Sequence, residues 1–143
     1  MGIETNKWGF RVGRLPHGPR NKISDVPGVT VGPCPLADGN VPTGVTALLP
    51  HPGDVFHDKV LAASHVINGF GKTTGLVQID ELGTLETPIL FTNTLSVGTV
   101  ETALVKYILQ LNPEICETTG SLNPLLCESN DSGLNYIRAL PLN

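Results

Sequence analysis

Charge is scarce in this 143-residue chain: charged residues make up 15% of it, against ~25% in an ordinary soluble domain. A protein so lightly charged keeps much of its surface uncharged or covered by something else. The charge it has runs acidic, 13 Asp and Glu against 9 Lys and Arg for a net −4. No broad basic footprint for nucleic acid is present. No apolar run approaches the ~20 residues that span a bilayer. The opening Met1-Gly2-Ile3-Glu4-Thr5 has neither a basic stretch nor an apolar signal core. The expected compartment is the cytoplasm, with no membrane and no nucleic acid among the partners. Cysteine is sparse too. Cys34, Cys116 and Cys127 are odd in number and far apart, with no CxxC pair and no Cys/His cluster at zinc spacing. They read as buried free thiols, and no metal or cofactor is expected.

What is abundant is glycine and proline, 16 and 12 residues, well above the average share of both. So many turn-formers argue against a helical bundle, and plentiful Ile, Val and Leu argue against disorder. The length suits one core and one domain.

Along the chain, the first twenty residues read as an irregular surface arm. Val26-Pro27-Gly28 is a turn signal, since proline sets φ and glycine accepts positive φ. Val29-Thr30-Val31 follows as a short strand, Pro33 to Pro42 as a loop with Ala37-Asp38-Gly39-Asn40 at its tip, and Gly44 to Leu49 as the returning strand of a hairpin. Val60 to Ile67, small and apolar, suits a strand buried on both faces. Thr73 or Thr74 caps a helix running to about Leu82, with Gly83 as its stop. Pro88 to Thr92 reads as another buried strand. Val97, Val100, Leu104, Tyr107, Ile108 and Leu111 then recur at helical spacing, with Ser96 as N-cap and Asn112-Pro113 as terminator. Leu122 to Cys127 is strand-like. The last ten residues hold no closing element and look like a chain cut off in mid-fold. Two strands followed by strand, helix, strand, helix, strand make an α/β protein with a mixed sheet.

The strongest local constellation is Glu128-Ser129-Asn130-Asp131, at the end of a buried strand, where open α/β sheets bind ligands. Ser, Asn and Asp followed by Gly133 are also ordinary turn residues. Glu128 is the exception: glutamate is no turn residue, and it abuts the apolar run. Asn68-Gly69-Phe70-Gly71-Lys72-Thr73-Thr74-Gly75 lacks the spacing of a P-loop. It reads as a tight connection whose N–H groups line a cavity or cap the next helix. Asn93-Thr94-Leu95-Ser96 caps a helix or edges a site. The four histidines form no ligand pair. His65 reads as a satisfied core residue in a strand, and adjacent Ser64 points to the opposite face. No GxSxG elbow is present.

These segments together resemble a known family. Asn21-Lys22-Ile23-Ser24-Asp25-Val26-Pro27-Gly28-Val29-Thr30-Val31-Gly32 is similar to the opening motif of the L-aminopeptidase/D-Ala-esterase/amidase (DmpA-type) family, which includes β-peptidyl aminopeptidases. Further blocks match in order: Thr43-Gly44-Val45-Thr46; Asn68-Gly69 with Thr74-Gly75-Leu76; Pro88 to Thr94 with Ser96-Val97-Gly98; and Glu128 to Asp131 with Leu134-Asn135. The resemblance implies the N-terminal part of an αββα sandwich of the N-terminal-nucleophile type, with residues 1–143 forming part of a single hydrolase domain. It implies a self-cutting precursor. The nucleophile is the new N-terminal serine of the second fragment, with its own α-amine as base. That nucleophile is expected outside this chain, so Ser96, Ser121, Ser129 and Ser132 are not candidates for it.

The resemblance makes Glu128 the holder of the substrate's free amino group, because a carboxylate matches ammonium in charge and donors. Asn130 stands where the family often has tyrosine and becomes the candidate oxyanion donor. Asn68 and Asn93 are further substrate-binding candidates. The implied partners are a C-terminal fragment carrying the nucleophile, further copies in a homo-oligomer, and a peptide or amino-acid amide substrate. The contrasting possibility is a catalytically inactive small-molecule binding or scaffold module with the same partial fold.

Overall fold

The computed structural model describes residues 13–38 and 41–142. Most of the expected surface arm, Gly39-Asn40 of the expected hairpin tip and Asn143 lie outside the described residues. The chain first turns at Val26 to Val29. The N–H of Val29 donates to the carbonyl of Val26 at 3.1 Å, and Gly28 takes φ +86°, as a proline–glycine type II turn requires. Strand β1 (Thr30–Asp38) and strand β2 (Val41–Leu49) then form the hairpin.

The strands are longer than the sequence suggests. The expected loop from Pro33 to Pro42 is largely ladder, with Pro33 opposite Thr46 and Pro35 opposite Gly44. The reason is topological. The sheet runs β1–β2–β5–β6, so β1 is an edge strand, where a missing proline N–H breaks no second ladder. Gly44 permits the close approach: a Cβ there would lie 2.4 Å from the carbonyl oxygen of Cys34.

Strand β3 (Val60–Leu61) pairs only with β4 (Thr84–Leu85). The expected buried strand from Val60 to Ile67 is therefore not formed: Leu61 and Ile67 are each 93% exposed. Apolar character alone does not make a strand without a neighbouring edge to pair with. His65 is exposed and outside any strand, so it is no core histidine. Helix α1 (Leu76–Leu82) starts from Gly75, at φ +82°, and not from a threonine cap. A Cβ on Gly75 would lie 2.3 Å from the carbonyl oxygen of Pro124. Gly83 ends the helix in the left-handed region, and its N–H reaches the carbonyl of Ile79 at 2.8 Å.

Strand β5 (Ile89–Asn93), helix α2 (Val97–Leu111) and strand β6 (Leu125–Ser129) form a βαβ unit, with β5 and β6 parallel and β2 antiparallel to β5. The mixed α/β sheet expected from the sequence is present. Its two faces separate cleanly because neighbouring residues on a strand point opposite ways. Leu126, fully buried, packs with Val97, Val100, Leu104 and Ile108 of α2. Leu125 packs on the other face with Ile79 and Leu85. Tyr107 and Leu111, expected on the buried stripe of α2, are exposed. Tyr107 lines an open apolar cavity of about 580 Å³ over β1 and β2. Ser96 precedes α2 but makes no side-chain cap; the cap is Asn93, whose Oδ1 accepts from the Ser96 N–H at 3.1 Å.

A buried latch holds the start of β6. Glu86 accepts from the N–H and Nδ2 of Asn123 at 2.8 and 3.2 Å and pairs with Lys59 Nζ at 3.1 Å. Thr87 Oγ1 accepts from the Leu125 N–H at 3.1 Å. The expectation of three buried thiols is corrected. Cys34 lies exposed on the edge strand and Cys116 exposed in a turn at φ +65°, while Cys127 is half-buried. Among the described residues no helix is long and apolar enough to cross a membrane.

Candidate active site

Glu128 belongs to β6 itself, one residue before the strand's end, and not to a loop beyond it. Because β6 closes the four-stranded sheet, its outer edge is open to residues 68–74. That segment docks there through Thr74, whose N–H donates to Leu126 at 3.1 Å and whose carbonyl accepts from Leu126 at 3.4 Å. Two residues earlier in the strap, the Lys72 N–H donates to Glu128 Oε2 at 2.6 Å. The other carboxylate oxygen, Oε1, accepts from Thr94 Oγ1 at 2.5 Å. One side chain thereby ties the strap to the turn that follows β5.

These contacts fix the charge. The Thr94 hydroxyl holds the Glu128 carboxyl below the ordinary glutamate range. Slight burial opposes this, and the Lys72 N–H and positive charge add to it. The Lys72 ammonium itself folds back over the Phe70 ring, 3.6 Å from its centre, and donates to the Phe70 carbonyl at 2.6 Å. Glu128 is thus an anion with no ion pair among the described residues. Two donors occupy its oxygens, and a carboxylate has about four acceptor sites.

Glu128 stands at the rim of an open cleft of about 720 Å³. One wall is the segment from Ala63 to Thr73; the other is the α1 face of the sheet. A smaller hollow of about 210 Å³, lined by Asn68, Phe70, Gly71, Glu128 and Asn130, adjoins it. Asn68, Glu128 and Asn130 are therefore brought together. Asn68 Oδ1 accepts from the Phe70 N–H at 2.9 Å and shapes the strap. Asn130 Oδ1 accepts from the Ser132 N–H at 3.1 Å, a turn contact that leaves its Nδ2 without a hydrogen bond among the described residues.

Asn93 is not brought to this cleft. It is 2% exposed, and its Nδ2 donates to Thr43 Oγ1 at 3.1 Å. Thr43 Oγ1 in turn donates to Asp131 Oδ2 at 2.8 Å. This relay joins β2, β5 and the turn after β6. The sequence reading put Thr94 in a segment that caps a helix or edges a site and Lys72 in a connection whose N–H groups line a cavity or cap a helix, but joined neither to Glu128. The unread contact is that from Thr94 to Glu128. The signal that finds it is the parallel register, Asn93 opposite Ser129, which carries the next residue of β5 toward the end of β6.

A layered α/β sheet with helices on both faces, and a carboxylate at the carboxyl end of a parallel strand, defines a class; the comparisons with known proteins name it. The fold matches the L-aminopeptidase D-Ala-esterase/amidase of Ochrobactrum anthropi, described as a prototype for the serine aminopeptidases and a new variant of the Ntn hydrolase fold. The TM-score is 0.77 at 28% identity, covering 96% of this chain and 40% of that one. It also matches the crystal structure of the PH0078 protein of Pyrococcus horikoshii, with TM-score 0.85 and 49% identity over 91% of this chain and 39% of that one. The beta-peptidyl aminopeptidase BapA of Sphingosinicella microcystinivorans is 35% identical over 129 residues, 84% of this chain and 31% of that protein. Residues 21–143 match the model of peptidase family S58, and the chain belongs to that family. It spans 31–40% of the length of these relatives.

Proposed function

We propose that this chain is the pocket-forming N-terminal part of a self-processing serine aminopeptidase or amidase, and that Glu128 holds the ammonium group of the substrate's N-terminal residue. The observation that carries the reading is an anion fixed at the rim of a cleft and in no ion pair among the described residues. An ammonium has three donors, and two acceptor sites on Glu128 remain open to it. Anchoring the amine orients the first peptide bond and makes cleavage an aminopeptidase reaction: an internal peptide segment offers no charge at that point. Asn130 Nδ2, beside Glu128, is a donor for the developing oxyanion. The nucleophilic serine comes from polypeptide outside this chain; its oxygen attacks the carbonyl, its proton passes through the base to the departing amine as the C–N bond breaks, and water then hydrolyses the acyl ester to release the amino acid and restore the serine. Exposed apolar residues such as Leu61, Ile67 and Phe70 support burial against that polypeptide, and against further copies in a homo-oligomer.

The test is hydrolysis of aminoacyl p-nitroanilides by the full-length protein with Glu128→Gln. The change keeps shape and removes charge. The expected result is a loss of at least about tenfold in kcat/KM, matching a charge-assisted contact of ~1.5 kcal/mol or more. N-acetylated substrates should be poor for the unaltered protein. Equal turnover of free and acetylated substrates, or an unchanged kcat/KM in the variant, would overturn the reading.

A further inference from the structure

The cleft behind Glu128 has walls unlike its rim. Leu76 and Ile79 of α1, Ile89 and Phe91 of β5, and Leu125 and Cys127 of β6 form its inner surface. All are apolar or weakly polar, and none brings a second charge. Cys127 faces Phe91 directly across the parallel ladder, and the next pair along is Thr92 with Glu128. Successive residues of a strand point to opposite faces and rise ~3.3 Å apiece. Cys127 therefore shares the cleft face with Leu125 and Phe91, while Glu128 leaves the strand toward the opposite face and reaches the cleft only at its edge, by the end of β6. Burial pushes the Cys127 thiol up, so it stays neutral and behaves as a small apolar side chain.

A lone anion at the mouth of an apolar cleft is complementary to an amphiphilic cation: a primary ammonium carrying an aliphatic chain on the neighbouring carbon. We propose that this cleft takes the side chain of the residue whose ammonium Glu128 holds, and that it selects unbranched or branched aliphatic side chains over charged ones, with Cys127 and Phe91 setting the depth. The inference rests on the amine-anchor reading above. It adds to it which side chains are accepted, and which residues decide.

The test uses n-alkylammonium ions from methyl to pentyl as probes, with dissociation constants measured by titration on the full-length protein. The two readings respond differently. Burial of each methylene in the cleft tightens binding about fourfold. Glu128→Gln weakens every member of the series by a common factor and leaves the slope intact. Cys127→Phe fills the floor and flattens the slope beyond ethyl. The series on the unaltered protein stands alone if that variant does not fold. A flat series that Glu128→Gln still weakens overturns the side-chain pocket and leaves the anchor standing; the cleft is then filled by the remaining polypeptide. A rising series indifferent to Glu128→Gln overturns the anchor and keeps the pocket. A slope unchanged by folded Cys127→Phe places the aliphatic site elsewhere and overturns the assignment of these residues.

Discussion

Thr94 offers the sharpest perturbation of the site, because its hydroxyl touches Glu128 and nothing in the proposed chemistry requires it to touch substrate. Thr94→Val preserves the branched shape and removes the donor that reaches Oε1 at 2.5 Å. A hydrogen bond to a charged group is worth about 1.5–3 kcal/mol when water is excluded. Glu128 is in contact with water, which partly replaces the lost donor, so the discounted figure is about 1 kcal/mol. Because this contact exists with and without ligand, its loss is read in the titration of Glu128, and ammonium affinity falls only where acidification protonates the carboxyl. The hydroxyl is the foremost cause of the depressed Glu128 pKa, so the variant's carboxyl must titrate at higher pH than the native one. Sign and window follow. In the native protein the anion persists on acidification to below the ordinary glutamate range. In the variant, amine binding fades sooner as pH falls. Side-chain NMR of Glu128, read alongside amine affinity between neutral and acidic pH, measures both effects. Thr94→Ser restores the donor and should recover them. A Thr94→Val protein whose Glu128 titrates as in the native chain would refute the argument that this contact fixes the anion.

Three further variants concern the frame. Gly75→Ala places a methyl 2.3 Å from the Pro124 carbonyl oxygen at φ +82°. A strained left-handed residue plus a backbone clash should destabilise by more than about 2 kcal/mol, seen as a drop of several degrees in melting temperature. Gly98→Ala, with open space around it in α2, should be neutral or stabilising by about half a kcal/mol. Glu86→Gln weakens the latch at the start of β6 and should destabilise by about 2 kcal/mol in denaturant unfolding. Burial pushes the Glu86 carboxyl up, but the Asn123 N–H, Lys59 and Gln78 together outweigh it and hold it low. A folded pKa below the unfolded one means stability that is present at neutral pH and lost as pH falls through the folded value. The native protein should therefore lose stability on acidification over a range where Glu86→Gln changes less.

Local signals were strongest where one segment decides its own structure. Helix α2 shows its period, its stop at Asn112-Pro113 and its span in the residues themselves, and Gly83 ends α1 as a left-handed residue should. The hairpin and β5 were legible for the same reason. What escaped was whatever depends on neighbours. Pro33 and Pro35 look like loop residues until β1 is known to be an edge. Val60 to Ile67 looks like a strand until β4 is seen to pair with its first two residues alone. The site divides the same way. Glu128 stood out as a lone charge beside an apolar run. Lys72 and Thr94, 56 and 34 residues away in sequence, meet it only through the docking of the strap and the parallel register. Asn93 marks the reverse case: a polar residue at a strand's end that the fold keeps for its own capping and for the relay to Thr43.

The double tether at Glu128 constrains how this cleft can change. On the proposed reading the carboxylate is both recognition element and fastening for residues 68–72, so replacing it would alter the ligand contact and loosen the adjacent wall together. Under that proposal, variation in the accepted amino acid would be channelled to the floor, where positions such as 127 can gain or lose bulk without unfastening the rim. Relatives that differ in side-chain preference should diverge there first, while the acidic clasp stays as it is.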